Sequence, residues 1–236
     1  LVIALDCGIK AVETMDYALS KGVEFIICDH HNPGGVLPRA VAVLDPKQEG
    51  CRYPYKELSG CGVGFKLIQA FCRKNGIGET GIYDFLDLVV VSIASDIVPI
   101  TGENRVLAYY GLKQLNEHPS TGLSAIREVA NINCRRIEIE DIVFKIGPRI
   151  NAAGRMESGR MSVDLLVSQK KREAMEISKK INSFNTDRRS VDTEITRQAI
   201  EMIRRNPSLQ RKSSTVLYNP DWHKGVIGIV ASRLLE

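Results

Sequence analysis

The first 95 residues alternate between short apolar runs and helical patterns, and this alternation restricts the possible folds more than any other feature. Strands are predicted at LVIAL (1–5), VEFIIC (23–28) and AVAVLDP (40–46). Helices are predicted at 12–19, at 62–74 and in the apolar stretch 84–95, where VVV would also suit a strand. Strands that alternate with helices favour parallel βαβ units. We therefore expect an α/β fold with a doubly wound, mostly parallel sheet.

The second half of the chain has a different pattern. Residues 102–168 are predicted to be mostly helical with loops, and residues 170–205 carry one long amphipathic pattern, which Asn185-Thr186-Asp187 could interrupt. A helix of that length is typical of a connector. The segment STVLY (214–218) is predicted to be a strand that opens a second α/β domain. The predicted division is a first domain at 1–169, a connecting helix at 170–205 and the start of a second domain at 206–236.

Composition excludes several classes of protein. The chain has 236 residues, of which 44% are hydrophobic and 25% charged, values that are ordinary for a globular protein. It has no run of 18 apolar residues and no signal peptide, so neither a membrane span nor secretion is predicted. The six cysteines form no CxxC pair, which argues against a zinc knuckle and suits a reducing cytoplasm. The abrupt start at LVIALD and end at ASRLLE suggest a piece cut from a longer protein.

Charge is unevenly distributed along the chain. Residues 1–118 hold 11 Lys and Arg against 14 Asp and Glu, whereas residues 119–236 hold 21 against 14. An acidic half can hold cations and a basic half can hold polyanions. The alternative is that these charges are ordinary solvated helix faces.

Acidic and imidazole side chains follow the predicted strands. Asp6 follows the first, Asp29, His30 and His31 follow the second, and Asp96 ends the later apolar run. Ligands of open α/β sheets bind beyond the carboxyl ends of the strands, so these residues could meet at one edge. Each alone is more typical of a turn or helix cap. Asp45, before Pro46, is interpreted as structural.

Together, carboxylates and imidazole suit Mn²⁺, and with more oxygen ligands Mg²⁺. Asp6 is the candidate bridge between two metals, with His30 and Asp96 completing one shell. Adjacent residues on a strand face opposite ways, so His31 is predicted to act differently, by donating to a phosphate oxygen. Asp29 is predicted to orient an imidazole.

Three motifs in order, LDCG (5–8), DHH (29–31) and SIASDIVP (92–99), resemble the DHH phosphoesterase family. IGPRINAAGRM (146–156) and DWHKGVIGIVASRL (221–234) resemble the RecJ-type single-stranded-DNA exonucleases within that family. The resemblance implies a DHH domain followed by a DHHA1-like domain. It implies phosphate or nucleic-acid contacts for six residues: Arg149, Asn151, Arg155, His223, Gly225 and Gly228. Trp222 is interpreted either as a base-stacking platform or as a core aromatic.

The function that the resemblance implies is 5′→3′ hydrolysis of single-stranded DNA with two Mn²⁺ or Mg²⁺ ions, in cytoplasmic DNA repair and recombination. Single-stranded DNA is the implied partner, with a single-strand-binding protein as a further one and no membrane. The family's first acidic DxD motif has no counterpart here, so part of the metal site is expected upstream and this chain alone is expected to be inactive. Two alternatives stay open: an oligonucleotide or nucleotide phosphatase, and a non-catalytic nucleic-acid-binding scaffold.

Overall fold

The structure, a computed structural model, describes residues 1–132 and 136–235, so Cys134 lies outside the described residues. The chain forms two compact units: Leu1–Ser120 with Ile132–Gly147, and Thr121–Asn131 with Pro148–Glu236. These are packing units, and the predicted division into functional domains is a separate hypothesis. Within the described ranges, no helix combines the length and the apolar character that crossing a bilayer requires.

The first unit contains a parallel sheet, as predicted. Its strands are β1 (Val2–Leu5), β2 (Phe25–Cys28) and β3 (Ala42–Leu44), in the spatial order β1-β2-β3. The helices of this unit are α1 (Val12–Ser20), α2 (Gly60–Lys74), α3 (Leu86–Ser95), α4 (Gly102–Glu117) and α6 (Ile139–Asp141), with a 3₁₀ turn before α3 and a π-helical turn after α6. The expected α/β class with parallel pairing is confirmed.

Strand register aligns the ends of the sheet. Leu5 pairs with Cys28, and Cys28 pairs with Leu44, so all three strands end at the same level. The next residue in each case is an aspartate, and the Asp6 and Asp29 amides continue the ladder by donating to the carbonyls of Cys28 and Leu44. The register therefore places three carboxylates along one edge.

Helix α3 settles the ambiguity of the VVV run in favour of a helix. Seven of its ten residues are buried, and it packs against both α2 and α4. A helix that is apolar on nearly all sides is buried in a core. Asp96 caps its C-terminal end, so this residue is presented by a helix and not by a strand.

The second unit is helical in the residues described. It comprises α5 (Thr121–Val129), most of α7 (Gly147–Met156), α8 (Arg160–Val167), α9 (Lys171–Arg205), α10 (Pro207–Gln210) and α11 (Ile227–Arg233). Helix α9 runs unbroken for 35 residues through Asn185-Thr186-Asp187, and it packs against α5, α8 and α11. The predicted long helix is confirmed, with no interruption.

The strand predicted at 214–218 is wrong. These residues belong to no helix or strand, and Val216 and Tyr218 are 86% and 78% exposed. An extended segment becomes a strand only when a neighbour satisfies its backbone groups, and the described residues supply no such neighbour here. Apolar and β-branched composition alone therefore misassigned the segment.

Candidate metal centre and phosphate-binding residues

Asp6 stands at the end of β1 in an unusual backbone conformation. Its φ is 63°, in the left-handed region, which aspartate tolerates better than most residues. Its side chain is half exposed, and its Oδ1 lies 3.0 Å from Nε2 of the buried His30. The carboxyl ends of β1 and β2 therefore bring together two residues that lie 24 positions apart in the sequence.

Asp29 organises the histidine pair from within the core. It is 1% exposed, and its Oδ2 accepts the Ile9 N–H at 2.9 Å. Its Oδ1 accepts the His30 N–H at 2.8 Å and lies 2.7 Å from Nδ1 of His31. Burial raises the pKa of Asp29, but the hydrogen bonds from Ile9, His31 and His30 outweigh it, so its pKa lies below the ordinary value. A carboxylate that stays ionised holds the Nδ1 proton of His31, which leaves Nε2 of the neutral ring as a lone pair.

Asp6, His30 and His31 each offer one ligand atom, and these atoms lie within 4.8 Å of one another. In addition, His30 Nδ1 is buried without a hydrogen-bond partner, which is costly for a polar atom. Two imidazoles and a carboxylate form a donor set that suits Mn²⁺. The residues present therefore fit a divalent cation. With its Nδ1 proton held by Asp29, the neutral His31 ring can offer Nε2 to a cation, and the predicted role of His31 as a phosphate donor stays a prediction.

Asp96 lies near this group without belonging to the three clustered ligands. Its Oδ2 accepts a hydrogen bond from Ser92 Oγ at 3.3 Å. Burial raises the pKa of Asp96 and the charge of Asp6 raises it further, while His30 opposes the shift. The Cys61 thiol is affected by the same carboxylates. Burial, and then the charges of Asp6, Asp96 and Asp87, raise its pKa to about 11. The charges of Asp6 and Asp96 therefore both raise the pKa of the Cys61 thiol. That the two carboxylates bind one cation stays a prediction.

Asp45, which ends β3, has the contacts of a turn residue. Its Oδ1 accepts the Lys47 N–H at 2.8 Å, the usual bond of an aspartate turn. It is 2% exposed, and burial raises its pKa. These contacts agree with the structural interpretation of Asp45.

In the second unit, the NAAGRM and WHKG motifs contact each other. Arg155 Nη1 donates to the Gly225 carbonyl at 3.2 Å, and the Gly225 N–H donates to His223 Nδ1 at 3.1 Å. A Cβ on residue 225 would lie 2.3 Å from the Arg155 carbonyl oxygen, so only glycine allows this approach. Because Nδ1 of His223 accepts, the neutral ring carries its proton on Nε2 and can donate it.

Further arginines of the second unit act on one another through their charges. Arg149 Nε donates to Asn182 Oδ1 at 2.8 Å, and burial, together with the charge of Arg189, lowers its pKa. Burial also lowers the pKa of Arg188; Asp192 opposes the shift, while the charges of Arg189, Arg155 and Arg233 add to it. Sequence reasoning missed Arg188 and Arg189, since they look like any polar face of a long helix. Of the remaining predicted residues, Asn151 and Gly228 are exposed.

Trp222 anchors the WHKG segment to α9. Its Nε1 donates to Gln198 Oε1 at 2.8 Å, and its ring packs against the buried cluster of Ile195, Ala199, Val226 and Val230. Of the two interpretations offered above, these contacts favour the core aromatic over the stacking platform. The contacts of Trp222 with Gln198 and with the buried cluster therefore attach the WHKG segment to α9.

Comparison with known proteins agrees with this fold and these motifs. Residues 1–93 match the DHH family, N-terminal domain. The chain is therefore similar to the DHH family over the residues that hold its LDCG and DHH motifs.

Over its full length the chain is similar to proteins named RecJ. It is 37% identical over its full length to a single-stranded-DNA-specific exonuclease RecJ of Bacillus subtilis, covering 29% of that protein, and 33% identical to that of Escherichia coli, covering 43%. A crystal structure of RecJ with Mn²⁺ from Thermus thermophilus superposes with a TM-score of 0.86 at 28% identity, over 99% of this chain and 34% of that one. A crystal structure of exonuclease RecJ bound to manganese also gives 0.86, at 30% identity, over 99% of this chain and 58% of that one. The chain spans less than half the length of these two curated relatives.

Proposed function

We propose that the protein containing this chain is a 5′→3′ exonuclease that hydrolyses single-stranded DNA with bound Mn²⁺ or Mg²⁺. The observation that carries the proposal is the grouping of Asp6, His30 and His31 within 4.8 Å at the carboxyl edge of a parallel sheet. The relatives named as single-stranded-DNA-specific exonucleases support the substrate class.

Asp6, His30 and Asp96 are the proposed metal ligands, with Asp6 as the bridge, and His31 is proposed to join them. When bound, a pair of divalent cations would supply an activated water and neutralise the charge that develops on the phosphoryl oxygens. Asp29 fixes the orientation of the His31 ring by accepting its Nδ1 proton. The lowered pKa of Asp29 keeps this acceptor ionised throughout the neutral pH range.

Arg155, Arg149, Asn151 and the loop with His223, Gly225 and Gly228 are proposed to hold the DNA phosphates. An arginine fork pairs with two phosphate oxygens, and the Nε2 proton of His223 offers a further donor. Because Arg155 touches Gly225, the two motifs are proposed to act on one stretch of backbone.

The test uses the full-length protein with Mn²⁺ and 5′-labelled single strands of increasing length. We expect labelled mononucleotide from all lengths and no reaction with duplex or with chelator present. If only short strands react, the alternative oligonucleotide phosphatase is correct. DNA binding without hydrolysis under any metal would establish the scaffold alternative.

The variant Asp96→Ala separates chemistry from binding. We expect it to abolish hydrolysis and largely spare DNA binding, because a metal ligand is lost while the arginines of the second unit remain. Turnover near that of the unaltered protein would refute the metal role of Asp96.

The remaining inferences concern context. We infer a cytoplasmic location, a single-strand-binding protein as a partner, and a domain division into 1–169, 170–205 and 206–236. All five described cysteines are free thiols, which agrees with a cytoplasmic location because thiols stay reduced there. A pull-down with single-strand-binding protein tests the partner.

A further inference from the structure

Gly60, the first residue of α2, lies against the Asp6 side chain. A Cβ built on Gly60 would lie 2.2 Å from Asp6 Oδ1, 2.5 Å from its Cγ and 2.6 Å from its Cβ. Gly60 itself is buried. No side chain fits at this position while Asp6 keeps its place, since Cβ atoms in folded proteins essentially never come within 3.0 Å of a neighbouring heavy atom.

The Asp6 oxygen that faces Gly60 is the same oxygen that contacts His30. Asp6 Oδ1 lies 3.0 Å from His30 Nε2, so the same atom is bounded by His30 and by the backbone of α2. Asp6 also has little freedom in its backbone, with φ at 63°. The carboxylate is therefore restricted by its own backbone, by the ring of His30 and by Gly60.

The start of α2 is itself fixed. Ser59 caps the helix, with its Oγ accepting the Gly62 N–H at 3.2 Å, and Ser59 is fully buried. Leu58, which precedes it, is 1% exposed. A displaced residue 60 would have to move the buried Leu58 and Ser59 that precede it, so the Asp6 side chain is the part that would yield.

We propose that Gly60 is a positioning residue for the metal-binding carboxylate: its missing side chain leaves the space in which Asp6 Oδ1 meets His30 and the cation. The proposal rests on the proposed function for the identity of the ligand, a divalent cation such as Mn²⁺. Any Cβ at residue 60 turns the Asp6 carboxylate away from His30 and disperses the three ligand atoms.

The first experiment measures Mn²⁺ binding by titration calorimetry in the full-length protein and in Gly60→Ala. We expect Gly60→Ala to weaken binding at least about 10-fold, in the range found when groups that orient metal ligands are lost. The controls are Gly62→Ala in the same helix, where a Cβ would meet Ser59 Oγ at 3.3 Å, and Gly78→Ala, where it would meet nothing within 4 Å. Equal Mn²⁺ affinity in Gly60→Ala and in the unaltered protein would overturn the proposal.

The second experiment is independent of metal and remains informative if Gly60→Ala folds poorly. Asp6→Gly removes the three atoms nearest to a Cβ at residue 60, and glycine tolerates the positive φ. We expect Gly60→Ala to lower Tm by about 4 °C or more when Asp6 is present, and by much less in the Asp6→Gly background. The same loss in both backgrounds would show that the two residues do not interact.

The two failures are distinguishable. If the unaltered protein binds no Mn²⁺, the proposed metal chemistry is wrong, while the Tm comparison still reports on the packing of Gly60 against Asp6. If the unaltered protein binds Mn²⁺ and the variants show no coupling, only the positioning role is wrong.

Discussion

A single buried carboxylate decides how the histidine pair is presented. Asp29 accepts from two different elements, the Ile9 amide and the His30–His31 segment, so it connects the chain after β1 to the chain after β2. The side chain of His31 is 57% exposed, so packing against buried neighbours does little to fix its orientation. The exposed ring of His31 is thus oriented by the buried Asp29.

Replacing Asp29 by alanine should therefore impair the metal site without removing a ligand. We expect Asp29→Ala to weaken Mn²⁺ binding about 10- to 100-fold, because the His31 ring loses the partner that fixes its tautomer and orientation. Titration calorimetry measures the effect, with Asp16→Ala as the control, since Asp16 forms an exposed pair with Arg39. Equal losses in both variants would contradict the orienting role.

The Cys61 thiol gives a pH-dependent prediction. Its pKa of about 11 means that at pH 8 about one thiol in a thousand is ionised, and the thiolate is the reactive form. We expect iodoacetamide to label the exposed Cys7 at pH 8, while labelling of Cys61 rises about tenfold per pH unit up to pH 11. Mass spectrometry of the peptides measures both rates. Labelling of Cys61 as fast as Cys7 at pH 8 would show that burial and the nearby carboxylates do not protect it.

At the scale of elements, local patterns predicted most of the helices and strands but little of their mutual contacts. Continuous apolar runs located β1 to β3 and α3, and an amphipathic pattern located α9, because burial selects apolar residues for the covered faces. It misassigned 214–218, where composition suits a strand and the described residues offer no pairing partner. It also missed Gly60, since the contact with Asp6 joins residues 54 positions apart and a glycine carries no periodic signal.

Helices α9 and α11 are joined by a charge pair that no pattern indicated. The fully buried Asp192 lies 2.9 Å from Arg233 Nη2, and Arg233 is 47% exposed at its side chain. A buried carboxylate that loses its partner costs about 1–3 kcal/mol. This pair therefore contributes to holding the WHKG segment, which precedes α11, against α9.

Removing that partner should loosen α11 locally. We expect Arg233→Ala to increase hydrogen–deuterium exchange of the amides in 227–233 about 5- to 100-fold, the equivalent of 1–3 kcal/mol. Arg205→Ala is the matched control, because Arg205 pairs with Glu201 on the exposed face of α9. Equal exchange in the two variants would mean that Asp192 does not anchor α11.

At the scale of the whole molecule, charge is divided between the two units. Asp6, His30 and His31 belong to the first unit, and Arg149, Arg155, Arg188 and Arg189 belong to the second. The imbalance between acidic and basic halves was visible in the sequence, whereas the grouping of Arg149, Arg155, Arg188 and Arg189 required the fold. Burial, and after it the charges of nearby arginines, lower the pKa of Arg149 and of Arg188, and an anion such as the DNA backbone would relieve that repulsion.

Arg155→Ala should consequently weaken DNA binding and leave the metal site intact. We expect a lower affinity for single-stranded DNA, a slope of log K against log salt that is shallower by about 0.7 for each phosphate no longer neutralised, and unchanged Mn²⁺ content. Fluorescence anisotropy at several salt concentrations measures the slope. Lys180→Ala removes an equal charge from an exposed position on α9 and should change the slope less. Loss of Mn²⁺ from Arg155→Ala would show that this arginine serves the metal and not the DNA.

The common level at which β1, β2 and β3 end has a consequence for how such a chain tolerates insertions. The last paired residues of the three strands are Leu5, Cys28 and Leu44, and an aspartate directly follows each of them. One residue added inside β2 would reverse which side of the sheet its following histidines face. Added residues between Pro33 and Ala40, by contrast, lie outside the strands and leave that spacing unchanged. Insertions and deletions compatible with activity should therefore be confined to the connections between strands. The lengths of the strands should stay constant, because they set the positions of the residues that follow them.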